Sequence, residues 1–157
     1  MTPAIKAAES AGVTVKVHEY QHDPGNTQYG LEAAEALGLD PARVFKTLLV
    51  RQNGDDRRLA VAVVAVTGQL DLKAMAAACG AKKVEMADPA QAERVTGYVV
   101  GGISPLGQKR GLPTVLDASV NDFATVFVSG GRRGLDIEIA PDDLARLCQA
   151  SVAEIGK

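Results

Sequence analysis

Leu59-Ala-Val-Ala-Val-Val-Ala-Val66 is a run of eight apolar residues with no polar face. A half-buried strand alternates between apolar and polar residues. A run that does not alternate, bounded by polar turns, predicts a strand covered on both faces at the centre of a sheet. Such a strand needs neighbours along its edges and further layers above and below, which points to a layered mixture of helices and strands. One neighbour precedes it directly. Phe45 to Val50 is a second strand, and Asn53-Gly54 lies in the polar loop between them, a strong hairpin signal.

The flanking segments carry clear starts and stops. Thr2-Pro3 pairs a capping hydroxyl with proline at the first helical position, and that helix places Ile5 and Ala8 on one side before Gly12. A second helix is predicted over about Thr27 to Leu37, with Leu31, Ala34 and Leu37 inward and Gly38 closing it. Asp40-Pro41 starts a short turn of helix. Asp71 to Cys79 is a helix ending at Gly80. Asp88-Pro89-Ala90-Gln91 opens another, with Gln91 placed for a capping box, and it ends near Gly97. Pro141 to Ala150 turns Leu144, Leu147 and Cys148 inward.

Val13 to Tyr20 alternates, which predicts Val13, Val15 and Val17 on the core and His18 and Tyr20 on the polar face. Ala124 to Ser129 and Leu135 to Ile139 read as two more strands, joined by a hairpin loop over Gly130 to Gly134. Strands outnumber the helices available to cross over between them. The expected fold is therefore α/β of the α+β type: a mixed, curved, barrel-like sheet surrounded by short helices, as one domain over 1–157.

Composition sets limits on function. With 157 residues and 46% hydrophobic content, the chain can bury a core without disulfides or metals. Its two cysteines do not suggest a disulfide scaffold. No signal peptide and no membrane-length apolar run is present, so a soluble cytoplasmic protein is expected. A net charge of −2 gives no global field to capture nucleic acid and argues against a DNA-binding role. Contacts to RNA would fall to three local pairs, Lys82-Lys83, Lys109-Arg110 and Arg132-Arg133, for which solvated surface charge is the plain alternative.

Several residues could carry chemistry. Tyr98 to Gly111 ends a short apolar run in Gly101-Gly102 and turns through Ser104-Pro105. Glycines there allow a close backbone approach to a ligand, or merely a surface turn. Lys46 lies on an apolar strand face with Leu48 and Val50, where its ammonium must reach water or an anion. Ser129 ends one strand and Asp136 begins the next, opposite it. They could satisfy the hairpin or stand at a pocket mouth. His18 and His22 have no third ligand near them, which argues against zinc. Cys79 and Cys148 read as core residues, and no Ser-His-Asp or Cys-His set can be assembled. No cofactor is expected.

Longer motifs add to this. Thr2-Pro3-Ala4, Tyr20, Phe45-Lys46-Thr47-Leu48, Gly80-Ala-Lys-Lys-Val-Glu-Met-Ala-Asp-Pro89, Thr96 to Gly107, Val128-Ser129-Gly130-Gly131 and Gly134-Leu-Asp-Ile-Glu138 span nearly the whole chain. In this order they closely resemble the YbaK and prolyl-tRNA synthetase editing-domain family, whose free-standing members are Cys-tRNA(Pro) deacylases. The resemblance implies a trans-editing enzyme that removes cysteine from tRNA(Pro), and also from tRNA(Cys), acting on the tRNA 3′ end with prolyl-tRNA synthetase as partner. It implies that the substrate's own thiol expels the tRNA. Carried onto this chain, it makes Lys46 the group that fixes the terminal adenosine and ester. Gly101, with Gly102 beside it, gives close backbone approach. Tyr20, Tyr29, Thr47, Ser129 and Asp136 line the pocket, with Asp136 facing the α-ammonium. The family pattern often has Phe where this chain has Tyr29. The basic pairs would hold tRNA phosphates. Two alternatives stand beside it: a deacylase for another mischarged residue such as alanine, and a non-catalytic module that binds a tRNA end or a synthetase.

Overall fold

Local chemistry sets most of the element boundaries. In the computed structural model, which describes residues 1–157, α1 (Pro3–Ser10) starts where the Thr2 hydroxyl accepts from the Ile5 amide at 3.3 Å. β1 (Lys16–Glu19) follows, then α2 (Tyr29–Leu37), closed by Gly38. Asp40 caps a 3-10 turn, Pro41–Arg43, by accepting from the Ala42 amide at 3.0 Å. β2 (Phe45–Gln52) and β3 (Asp55–Ala65) join through Asn53 and Gly54, whose φ values of 55° and 70° fit a two-residue type I′ turn. α3 (Leu72–Cys79) starts on Asp71, β4 (Val84–Met86) follows, and α4 (Pro89–Thr96) starts on Asp88. β5 (Thr114–Asp117), β6 (Val126–Arg132), β7 (Leu135–Ile139), α5 (Pro141–Cys148) and β8 (Ser151–Ala153) complete the chain.

The strands form two sheets, ordered β4-β2-β3-β5-β8 and β1-β7-β6. β3 lies between antiparallel β2 and parallel β5, and each residue from Leu59 to Val64 is 2% exposed or less. Its two faces serve two cores. Leu59, Val61 and Val63 pack toward Val126, Val128, Ile137 and Ile139 of the smaller sheet. Ala60, Ala62 and Val64 pack with Met75 and Ala76 of α3 and with Ile155. Cover on both faces is why no polar residue is tolerated along this run.

The mixed α/β arrangement is as expected, but no closed barrel forms. Apart from side-chain packing, the two sheets are linked by one isolated parallel bridge, between Val44 and Phe127. β1 is shorter than the alternation predicts, and Val17 is 44% exposed. It is an edge strand paired only with β7, and Lys16, Val17 and Glu19 are all exposed. In α2 Leu31 is exposed and Glu32 is buried, the reverse of the apolar expectation. Glu32 is accommodated because its carboxylate meets the His22 ring at 2.6 Å and accepts from the Asp23 amide at 2.8 Å. Gln91 does not complete a capping box; its side-chain amide donates to the Asp56 carbonyl at 3.2 Å. No helix is long and apolar enough to cross a membrane.

Candidate functional site

The pairing of β2 leaves one place open. β4 pairs only with Val50 to Gln52, so the first half of β2 has β3 on one side and no ladder partner in β4 on the other. A cavity of about 620 Å³ lies there. Phe45 to Leu49, the start of α2, the loop after β3, the Val100-Gly101 loop, and Ser129 and Asp136 all border it. Successive strand residues point to opposite faces, yet both Lys46 and Thr47 line the cavity, so it wraps around the unpaired side of β2.

Lys46 is half-buried, and its ammonium has a partner in the protein. Its Nζ donates to the Gly68 carbonyl at 2.9 Å. An ammonium has three N–H donors, which leaves two for a ligand. Asp136 is 6% exposed and stands opposite Ser129 in the β6–β7 ladder, as the hairpin reading expects. No protein donor hydrogen-bonds its carboxylate, and no protein cation lies within 4.0 Å of it. Burial pushes its pKa up to about 7. Tyr20 is tied by its amide to the Gly134 carbonyl at 2.9 Å. Burial first, and then the negative charge of Asp136, raise its phenol to about 12, so it stays a neutral donor. The Ser129 hydroxyl accepts from the Gly131 amide at 3.1 Å. Thr47 Oγ1 is buried without a hydrogen-bond partner.

Tyr29 and Gly101 are built on each other. A Cβ at position 101 would lie 2.8 Å from the Tyr29 ring, and Gly101 has a φ of +88°. Only glycine meets both demands without strain. The loop is pinned from two sides. The Val100 amide donates to Glu93 Oε2 at 2.7 Å, and Arg133 Nε donates to the Val100 carbonyl at 2.9 Å. The Arg133 guanidinium then lies over the Tyr29 ring at 4.8 Å. The Gly101 amide donates to no acceptor in the protein, so a free backbone donor belongs to the cavity wall.

Other expected site residues lie elsewhere. Gly102 is buried off the cavity, where a Cβ would come within 2.7 Å of the Arg132 α-carbon. The three basic pairs do not share one rim. The Lys82 and Lys83 amides donate to Asn53 Oδ1 at the hairpin end, about 20 Å along β2 from Lys46 at strand rise. The Lys109 and Arg110 amides bond the Thr96 and Val95 carbonyls at the close of α4. Of the six basic residues only Arg133 is seen to adjoin the cavity, through its stack on Tyr29, while Arg132 faces Glu19 at 3.8 Å. His18 and His22 pair with separate carboxylates, Glu138 at 3.0 Å and Glu32 at 2.6 Å. Cys79 and Cys148 do not line the cavity, and burial raises both thiols, that of Cys148 to about 12.

The sequence reading missed Gly68, Glu93 and the distinct place of Arg133. Gly68 carried a usable signal. The hairpin register pairs Phe45 with Ala65, which puts the loop after β3 at the start of β2, within reach of the long Lys46 side chain. Glu93 and Arg133 reach the loop from elements distant in sequence, and no local pattern marks them.

Residues 26–147 match the family model of the aminoacyl-tRNA editing domain. Over 154 residues the chain is 37% identical to EbsC of Enterococcus faecalis, named as a candidate Cys-tRNA(Pro)/Cys-tRNA(Cys) deacylase; the match spans 98% of this chain and 92% of that protein. YwhH of Bacillus subtilis is 33% identical over 121 residues, spanning 77% of this chain and 75% of that one. A solved structure described as a candidate trans-editing enzyme for prolyl-tRNA synthetase superposes with a TM-score of 0.85 at 26% identity, over 99% of this chain and 95% of that one.

Proposed function

The chain belongs to the aminoacyl-tRNA editing domain family, and we propose that it is a trans-editing deacylase that clears Cys-tRNA(Pro), with Cys-tRNA(Cys) as a second substrate. The observation that carries this reading is the unpaired carboxylate of Asp136, a residue only 6% exposed, in the same cavity as the Lys46 ammonium. A buried carboxylate without a partner is costly unless a ligand supplies the cation. The α-ammonium of an aminoacyl ester is such a cation, and Lys46 offers two N–H donors to the adenosine and ester oxygens.

The cavity residues supply no activated nucleophile. Ser129 makes no hydrogen bond to the Asp136 carboxylate opposite it, its hydroxyl accepting from the Gly131 amide instead, and both histidines are engaged outside the cavity. In the proposed reaction the substrate thiol adds to its own ester carbonyl. The carbon–oxygen bond to the ribose breaks, the thiol proton ends on the leaving ribose oxygen, and the products are a free tRNA 3′ end and a small cyclic thioester. The protein contributes orientation, which is worth many orders of magnitude when an intramolecular attack is held in line. The Gly101 amide is suited to steady the carbonyl oxygen as charge develops on it.

Esters of tRNA(Pro) separate the readings. Cysteinyl ester is expected to be lost rapidly, while seryl and alanyl esters survive at the uncatalysed rate, measured by release of labelled amino acid. Rapid loss of seryl ester would rule out the thiol route. Loss of alanyl ester would make the chain an editor of a different error, and survival of all three would leave a binding module. The net charge of −2 suits weak binding of free tRNA. Prolyl-tRNA synthetase is the proposed partner, and a gel shift should retard tRNA(Pro) strongly only when the synthetase is added. Strong retardation by the chain alone would remove the need for it.

A further inference from the structure

The carbonyl under Lys46 belongs to a short loop with little structure of its own, and its support comes from the far side. Gln69 exchanges both backbone hydrogen bonds with Lys157, at 2.9 and 2.8 Å, and the Asp71 amide donates to the Ile155 carbonyl at 2.7 Å. Gly68 packs directly on this segment; a Cβ there would lie 2.9 Å from the Lys157 carbonyl oxygen. The Ile155–Lys157 segment is in turn fastened by one side chain. Asp117, at the end of β5, accepts at a single oxygen, Oδ1, from the Ile155 amide at 3.0 Å and the Gly156 amide at 2.8 Å. Its other oxygen accepts from the Ser119 amide at 3.2 Å.

We propose that Asp117 is a positioning residue for the editing reaction. It anchors residues 155–157 behind the Thr67–Gln69 loop and thereby fixes the Gly68 carbonyl that holds the Lys46 ammonium toward the cavity. The inference rests on the reading of Lys46 as the group that grips the substrate. No atom of Asp117 lines that cavity; it acts only through the backbone chain from Ile155–Lys157 to Gly68 to Lys46. A loose Gly68 carbonyl would let the flexible lysine stem sample several rotamers, and a misplacement of about 1 Å at a reacting group can cost as much as a hundredfold.

The test is a double-mutant cycle on ligand affinity, read by NMR titration, which reaches millimolar dissociation constants. The probe is cysteinyl-adenosine with an amide in place of the ester. Asp117→Ala is expected to weaken binding about tenfold or more when Lys46 is present and by less than about twofold in a Lys46→Ala background, since the effect passes through Lys46. Asp117→Asn keeps an acceptor oxygen for both amides and should restore most of the affinity. Equal losses in both backgrounds, or no loss in either, would overturn the proposal. Full affinity in Lys46→Ala alone would instead overturn the reading of Lys46. Should Asp117→Ala fail to fold, Asp117→Ser runs the same cycle, because its shorter hydroxyl cannot reach the Ile155 and Gly156 amides that the carboxylate holds.

Discussion

Lys46→Ala is expected to lose Cys-tRNA(Pro) deacylation by about 10²- to 10³-fold, the usual effect of removing one preorganised electrostatic group from a transition state. It should nonetheless melt within a few degrees of the parent. The two outcomes follow from one geometry. In the free protein Lys46 makes a single hydrogen bond, to the Gly68 carbonyl, and no ion pair. Losing that bond costs about 1 kcal/mol. The loss is offset by relieving an ammonium held beside the apolar face of Leu48 and Val50. The loop under it is held independently by Lys157, so it does not collapse. Lys46→Arg should not restore activity fully, because a planar fork cannot reach the same carbonyl with the same rotamer. Single-turnover deacylation with a parallel thermal melt checks both halves. Near-normal turnover in a folded Lys46→Ala would remove Lys46 from the mechanism, and an unfolded variant would contradict the independence of the loop.

Lys46 also shows what could be read from the sequence and what could not. It stood out because it breaks the pattern of its strand, and a misfit on a strongly patterned element is visible without coordinates. Leu59–Val66 was legible for the related reason that an unbroken apolar run fits few places in a fold. Ser129 and Asp136 could be paired because a glycine-rich hairpin loop fixes which strand residues face each other. The three strands Val84–Met86, Thr114–Asp117 and Ser151–Ala153 were not found. At three or four residues they are too short to show a period, and what makes them strands is the edge each one joins. Leu31 was expected inward and is exposed, while its neighbour Glu32 is buried against His22 and Asp23, and a hydropathy pattern does not register such hydrogen-bond partners. Gly102 was grouped with the site by nearness to Gly101, but the chain turns away from the cavity there, whereas Arg133 returns to it by stacking on Tyr29. The role assigned to each pocket residue came from the family resemblance; spacing had supplied only the glycine loop, the misplaced lysine and the missing nucleophile.

Asp136→Asn should be more stable than the parent at pH 8 and nearly inactive. The carboxylate has an ordinary pKa of 3.8, and burial raises it to about 7 in the folded chain. Below about pH 4 both the folded and unfolded states hold the proton, and the residue costs nothing. Between pH 4 and 7 the folded state keeps a proton that the unfolded state has released, so stability falls as pH rises. Above 7 the full penalty is present. At 1.36 kcal/mol per unit, and allowing for water reaching the carboxylate through the open cavity, the penalty is about 2–4 kcal/mol. Asparagine cannot ionise and escapes it. Melting curves of the two proteins should therefore separate by several degrees at pH 8 and converge near pH 4. Activity should follow the opposite course. If the ionised carboxylate receives the α-ammonium, kcat/KM of the parent rises as pH passes through about 7, and that inflection is missing in Asp136→Asn. A variant no more stable at pH 8 than at pH 4, relative to the parent, would mean that solvent already satisfies the carboxylate. An unchanged inflection would assign the titration to the substrate. Together the two expected results tie the cost to the function: a carboxylate already bonded within the protein would be cheaper to fold around, but it would have no lone pairs left for the substrate's ammonium.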